Sequence, residues 1–136
     1  MILVDTGPLV ALFDRGDPAH ARAASILETI HEPLSTTVPV LTEAFHMLGA
    51  TGRAGLRDFI VRRGLSVRFL DGALLLRVFA LMTEYVKRNM DFADASLVAV
   101  AEVVRTRKVF TIDRRDFKAY RIRMGHRLER PIILGD

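Results

Sequence analysis

Residues 2–13 read ILVDTGPLVALF. Three apolar residues, Ile2 to Val4, run into Asp5. Thr6, Gly7 and Pro8 interrupt the run, and Leu9 to Phe13 is apolar again. The pattern predicts a short buried strand over 2–5, a turn, and a helix from Pro8 to Phe13 with Thr6 or Gly7 as its cap. It also puts a carboxylate where a buried segment ends, and an isolated charge near a core is costly. Asp5 therefore either caps the helix or is held there for chemistry.

Outward from this stretch, strands and helices alternate. Helices are expected over 17–30 (Asp17 as cap, Pro18 first), 38–49 (ended by Gly49), 55–63, 73–89 and 92–105. Strands are expected over 33–37, 66–70, 108–113 and 131–135. Such alternation implies a parallel sheet covered on both faces. Ligands of open sheets of this kind sit beyond the carboxyl ends of the strands. Asp5 is at one of those ends.

The 136 residues fit one domain, and with half of them hydrophobic the chain can bury a real core. No apolar run reaches the roughly 18 residues of a membrane span. No signal peptide is visible, so a cytoplasmic protein is expected. The absence of cysteine excludes disulfides and thiolate metal sites. The net charge of +4 is uneven. Basic residues crowd 105–130 and recur at Arg53, Arg57, Arg62, Arg63 and Arg68. Most are arginines, whose planar fork suits phosphate.

Further carboxylates stand in awkward places. Residues 92–104, FADASLVAVAEVV, are apolar nearly all round, which predicts a buried helix. Asp94 shares a face there with Leu97, Val98 and Ala101. An ordinary explanation is that Asp94 complements the helix dipole while Asp91 caps the helix. Glu43 lies at the edge of the apolar arc of VPVLTEAFHML, where a surface glutamate with a packed stem is common. Asp113 ends the strand KVFTI, and Asp116 follows in DRRDF, as an Asp-rich turn would have it. Each explanation is adequate singly. A parallel sheet, however, brings the ends of the first and fourth strands to one edge, with Asp94 heading the helix between. Carboxylates gathered there repel one another unless a cation discharges them. Mg²⁺ or Mn²⁺ suits an oxygen-only ligand set. His20, His31, His46 and His126 lack zinc-site spacing.

These segments together resemble the PIN-domain ribonucleases, in particular VapC-type toxins of toxin–antitoxin pairs. The stretches concerned are ILVDTGPLVALFD, STTVPVLTEAFHML, MDFADASLVAVAE and VFTIDRRDF, in that order along nearly the whole chain. The resemblance implies one three-layer α/β/α domain over 1–136 with a central, mainly parallel five-stranded sheet of order 3-2-1-4-5. It implies metal-dependent hydrolysis of RNA phosphodiester bonds by Asp5, Glu43, Asp94 and Asp113, with Asp116 beside them. Asp5 and Asp94 are the strongest metal ligands. Whether Asp113 or Asp116 is the fourth acid stays open, and Asp91 competes with Asp94. Thr6 and Thr111 are candidate hydroxyls for orienting carboxylates or waters. Arg114, Arg115 and Lys118 are candidates for contact with the RNA backbone. The resemblance further implies a homodimer, for which the helices over 55–63 and 73–89 are the apolar candidates, and a VapB-like antitoxin whose tail blocks the site.

Rival readings are weaker. A receiver domain wants an early acidic pair, a haloacid-type phosphatase wants D-x-D where this chain has D-T-G, and a dinucleotide-binding domain wants G-x-G-x-x-G. A structure-specific DNA nuclease shares the metal logic but needs additional clamping elements. A silent acidic-cleft binding module shares the residues and lacks only turnover.

Overall fold

The computed structural model describes residues 1–135. Five short strands make the main sheet: β1 (Ile2–Val4), β2 (Leu34–Thr37), β3 (Ser66–Arg68), β4 (Lys108–Phe110) and, last in the chain, β7 (Ile132–Ile133). Their order is β3-β2-β1-β4-β7, and every pairing is parallel. Seven α-helices accompany them: α1 (Thr6–Phe13), α2 (His20–Glu28), α3 (Val38–Met47), α4 (Ala50–Val61), α5 (Gly72–Glu84), α6 (Phe92–Val104) and α7 (Arg114–Ala119). This is the expected three-layer α/β/α architecture. All five expected strands occur, in the expected spatial order.

The chain steps outward from β1 to β2 to β3, then returns past them to β4. With right-handed crossovers, that reversal sends α1–α4 to one face and α5–α6 to the other. It also opens a crevice between β1 and β4, the topological switch point where ligands of such sheets bind.

Several boundaries differ from the sequence reading. α1 begins at Thr6, so Gly7 and Pro8 form its first turn and do not precede it. α2 begins at His20 because the Asp17 carboxylate accepts the Ala19 N–H at 2.8 Å, holding a turn ahead of the helix. The helix expected over 73–89 stops at Glu84, and Asn89 beyond it is left-handed, with φ 53°. An antiparallel hairpin, β5 (Ile122–Met124) and β6 (Arg127–Glu129), was not expected at all. No helix among the described residues is long and apolar enough to cross a membrane.

The core is centred on β1, β4 and α6. Leu3, Leu9, Leu97 and Phe110 are wholly buried. α6 buries eight of its residues and packs against α5, α3, β2 and β5. Small side chains, alanines above all, let it lie close to its neighbours. Its start is pinned by a buried pair of hydroxyls, Thr37 Oγ1 and Ser96 Oγ, 2.6 Å apart. Ser96 in turn donates to the Ala93 carbonyl at 2.6 Å, so Thr37 is the donor within the pair. Replacing Ser96 by Ala strands the Thr37 donor in the core. The expected loss is about 1–3 kcal/mol of stability, read from the denaturant midpoint at unchanged slope.

Candidate active site

Asp5 follows β1 directly. Its backbone N–H donates to the Phe110 carbonyl at 2.9 Å, so β1 stays paired to β4 up to this residue. It occupies the N-cap position of α1, yet its side chain makes no capping bond. Instead Oδ2 accepts from the Thr111 hydroxyl at 2.8 Å, across the β1–β4 seam. Asp5 is 6% exposed. The question raised by its position is thus answered structurally: the carboxylate is turned into the crevice.

Each of the other acids arrives on a different element. Asp94 sits in the first turn of α6, where Asp91 caps the helix by accepting the Asp94 N–H at 2.7 Å. Asp94 Oδ2 accepts from the Tyr120 hydroxyl at 2.9 Å. Glu43, on α3, accepts from the Thr6 hydroxyl at 3.0 Å through Oε2. Asp113 stands at the N-cap position of α7 without capping it, and its N–H donates to Thr111 Oγ1 at 3.0 Å. Asp116 is one turn further on. Asp5, Glu43, Asp91, Asp94, Asp113 and Asp116 all line one cleft of about 340 Å³, with Thr6, Gly7, Asn89 and Ile112.

No lysine or arginine lines that cleft. Arg114 donates to the Gly135 carbonyl at 2.9 Å, while Arg115 and Lys118 are exposed on α7. Phe117 is core, and Phe92 is partly exposed beside α3.

The uncompensated charge shows in the proton affinities. Burial pushes the Asp5 carboxyl up to about 6, against the hydrogen bonds from the Thr111 hydroxyl and the Thr6 backbone N–H that lower it. Burial, then the charges of Asp5 and Asp91, push Asp94 up to about 8, and the Tyr120 bond opposes them. Asp113 is raised by burial and by its hydrogen bond and repulsion with Asp116. Tyr120 is itself pushed upward, by burial and by Asp94.

This donor set fits a hard divalent cation. Among the described residues no three acids or histidines form a ready-made cage. A cation that keeps most of its waters needs only one or two carboxylates, and Asp5 and Asp94 supply a facing pair whose repulsion an ion would remove.

Comparison with known proteins places the whole chain. The PIN domain model matches residues 2–122. The chain belongs to the PIN domain family. Ribonuclease VapC26 of Mycobacterium tuberculosis is 28% identical over 126 residues, covering 88% of this chain and 92% of that protein. The crystal structure of M. tuberculosis VapC20, described as a sarcin–ricin loop cleaving toxin, shares the fold at TM-score 0.77 and 21% identity, over 83% of this chain and 90% of that one. A toxin–antitoxin complex from Klebsiella pneumoniae contains a chain that aligns at TM-score 0.66 and 22% identity, over 88% and 92%. The PIN match ends at Ile122, the first residue of the unexpected hairpin.

Tyr120 is a site residue that sequence reasoning missed, as is Asn89 in the cleft lining. Tyr120 is fully buried, with ring contacts 5.2 Å from both Tyr85 and Phe117. A tyrosine far from Asp94 in the chain carries no local signal of this contact.

Two predictions follow from the charge balance. The folded protein holds the Asp5 and Asp94 protons more tightly than the unfolded chain does. Each group therefore favours folding at and below about pH 4 and costs stability as pH rises through its folded value. For Asp5 the cost approaches about 3 kcal/mol above pH 6. The metal-free protein is expected to lose Tm steadily from pH 4 to 8. Asp94→Asn should raise Tm at pH 8 and leave it little changed at pH 4. Tyr120→Phe keeps the packed ring and removes the donor, so the Asp94 titration followed by carboxyl NMR should move further upward.

Proposed function

We propose that the chain, as one nuclease domain over 1–136, is a Mg²⁺- or Mn²⁺-dependent endoribonuclease of the VapC type and the cytoplasmic toxin of a toxin–antitoxin pair. The observation that carries this reading is the facing pair Asp5 and Asp94: raised in proton affinity, without a basic partner, at the switch point of a PIN fold. The similarity to a protein named as a ribonuclease supports the substrate class. The toxin–antitoxin complex among the structural relatives supports an antitoxin partner of the VapB kind.

Asp5 and Asp94 would hold the ion, which when bound neutralises phosphate charge and acidifies a water. Thr111 fixes the Asp5 carboxylate from one side, and Tyr120 fixes Asp94 from the other. Glu43, steadied by Thr6, faces the cleft from α3 and would orient the attacking water or help hold a second ion. Asp113 and Asp116, hydrogen-bonded to each other at the start of α7, would share that second role. The water oxygen attacks phosphorus and gives its proton up towards these carboxylates. The bond from phosphorus to the 3′ oxygen breaks, and that oxygen takes a proton from solvent. Arg115 and Lys118, exposed on α7 next to Asp113 and Asp116, would contact the RNA backbone without reading its sequence. Leu76 and Phe79, exposed on α5, would be covered by a second copy in a homodimer.

A mixed pool of structured RNAs should be cut with Mg²⁺ or Mn²⁺ and left intact with EDTA. Asp5→Asn and Asp94→Asn should each lower kcat/KM by at least about a hundredfold. Full activity in Asp94→Asn would overturn the assignment. A wild type that binds RNA yet never cuts would reduce the cleft to a binding site.

A further inference from the structure

Where the PIN match ends, the hairpin begins, and it is strongly basic. Residues 121–130 contain Arg121, Arg123, His126, Arg127 and Arg130 against a single acid, Glu129. The hairpin is fastened to the far half of α6. Ile122 is buried there, and the Arg123 N–H donates to Glu102 Oε2 at 2.9 Å. Glu102 is also held by Arg77 at 2.8 and 3.1 Å, so its charge is already answered within the fold. Arg123, His126, Arg127 and Leu128 are exposed; Arg123 and Leu128 are paired across the strands and share one face, while Arg127, paired with Met124, lies on the other.

A second observation comes from α6. Its C-cap is Arg105, exposed and left-handed at φ 60°, ψ 47°. Helices usually put glycine or asparagine in that conformation, because a larger side chain strains the backbone. Gly125, left-handed at φ 65°, forms the hairpin turn opposite, and a Cβ built on it would lie 4.0 Å from Arg105 Nη2. The strained Arg105 therefore lays its guanidinium over the hairpin turn. Arg105, Arg123, Arg127 and His126 thus flank the turn from both faces of the hairpin, whose one acid, Glu129, lies two residues beyond Arg127. Mutual repulsion makes such a cluster unfavourable alone and favourable to a polyanion.

One helix joins the cluster to the cleft. α6 carries Asp94 in its first turn and Arg105 at its end, roughly 16 Å along the axis. The chain that leaves Tyr120, whose hydroxyl holds Asp94, becomes Arg121 and then β5, whose Arg123 N–H meets Glu102 towards the far end of α6. We infer that Arg105, Arg123 and Arg127 form a phosphate rail that holds the RNA backbone a few nucleotides away from the scissile bond. The inference rests on the ribonuclease reading above. Guanidinium forks suit phosphate oxygens, and Leu128 beside Arg123 offers an apolar face to a sugar or base.

The test uses two variants. Arg105→Gly removes the cation and installs the residue that the backbone prefers, so its Tm should equal or exceed that of the parent. Arg123→Ala/Arg127→Ala removes the hairpin cations. Binding is measured in EDTA to single-stranded RNAs of about 20 and about 5 nucleotides. Cleavage of the short RNA is measured separately with Mn²⁺. The long RNA should bind roughly tenfold more weakly to each variant, with the salt slope lowered by about 0.7 per lost arginine. The short RNA should be bound and cut as by the parent. Unchanged long-RNA affinity and salt slope, with cutting intact, would overturn the rail and leave the nuclease standing. Loss of long-RNA binding by a protein that never cuts would uphold the rail and remove the nuclease. Loss confined to binding of an antitoxin protein would overturn the rail in favour of a protein-docking surface.

Discussion

The site depends on one costly placement: a carboxylate 6% exposed at the end of the central strand. Leu3 and Val4 before Asp5 are wholly in the core, so its backbone has no freedom to withdraw the side chain into solvent. The β1–β4 seam makes the placement tolerable, because the Thr111 hydroxyl reaches across it and the switch point leaves a crevice in front. Asp94 then arrives opposite on a helix too apolar to sit anywhere but inside. The fold thereby carries electrostatic strain near neutral pH, which the rigid packing of α6 and the buried hydroxyls of Thr36, Thr37 and Ser96 hold in place. A cation bound there would relieve strain that the packing has already set up.

Hydroxyls, not cations, orient the acids. Thr111 holds Asp5, Tyr120 holds Asp94 and Thr6 holds Glu43, each by one oxygen and each from a different element. The distinction is chemical. An arginine in any of these places would orient the carboxylate and also neutralise it, removing the field that attracts a divalent ion. A hydroxyl fixes one oxygen and preserves the charge.

What the sequence made legible was what short apolar runs and misplaced charges can announce. The strand ending at Asp5 was readable because burial is continuous up to the acid, and the sheet order came with the family resemblance; Asp113, expected to end a strand, instead lies beyond β4, past the exposed Ile112, at the start of α7. Asp94 was conspicuous because its helix has hardly any polar face. Thr6 and Thr111 were readable as neighbours of acids. The hairpin was not readable, since each strand has three residues, only Ile122 among them is buried, and alternating arginines look like solvated loop. Tyr120 was invisible for another reason. Its partner lies 26 residues away, and the packing of β5 against α6 brings them together. Helix starts shifted where a side chain captured the backbone first, as Asp17 did ahead of α2.

One helix organises both ends of the molecule. α6 has Asp91 and Asp94 at its N-terminus and Arg105 at its C-terminus, the polarity that the helix dipole favours at each end. The dipole alone explains an acid first and a base last. It does not explain why the base accepts a left-handed backbone, or why a hairpin with no acid at its tip is pinned beside it. To a polyanion the two ends act oppositely. The acidic end repels it until a cation is bound, and the basic end attracts it regardless. A substrate drawn first to the far end of α6 and turned towards the cleft would reach the carboxylates only where an ion had already discharged them. Capture and chemistry would then be separated by the length of a single buried helix.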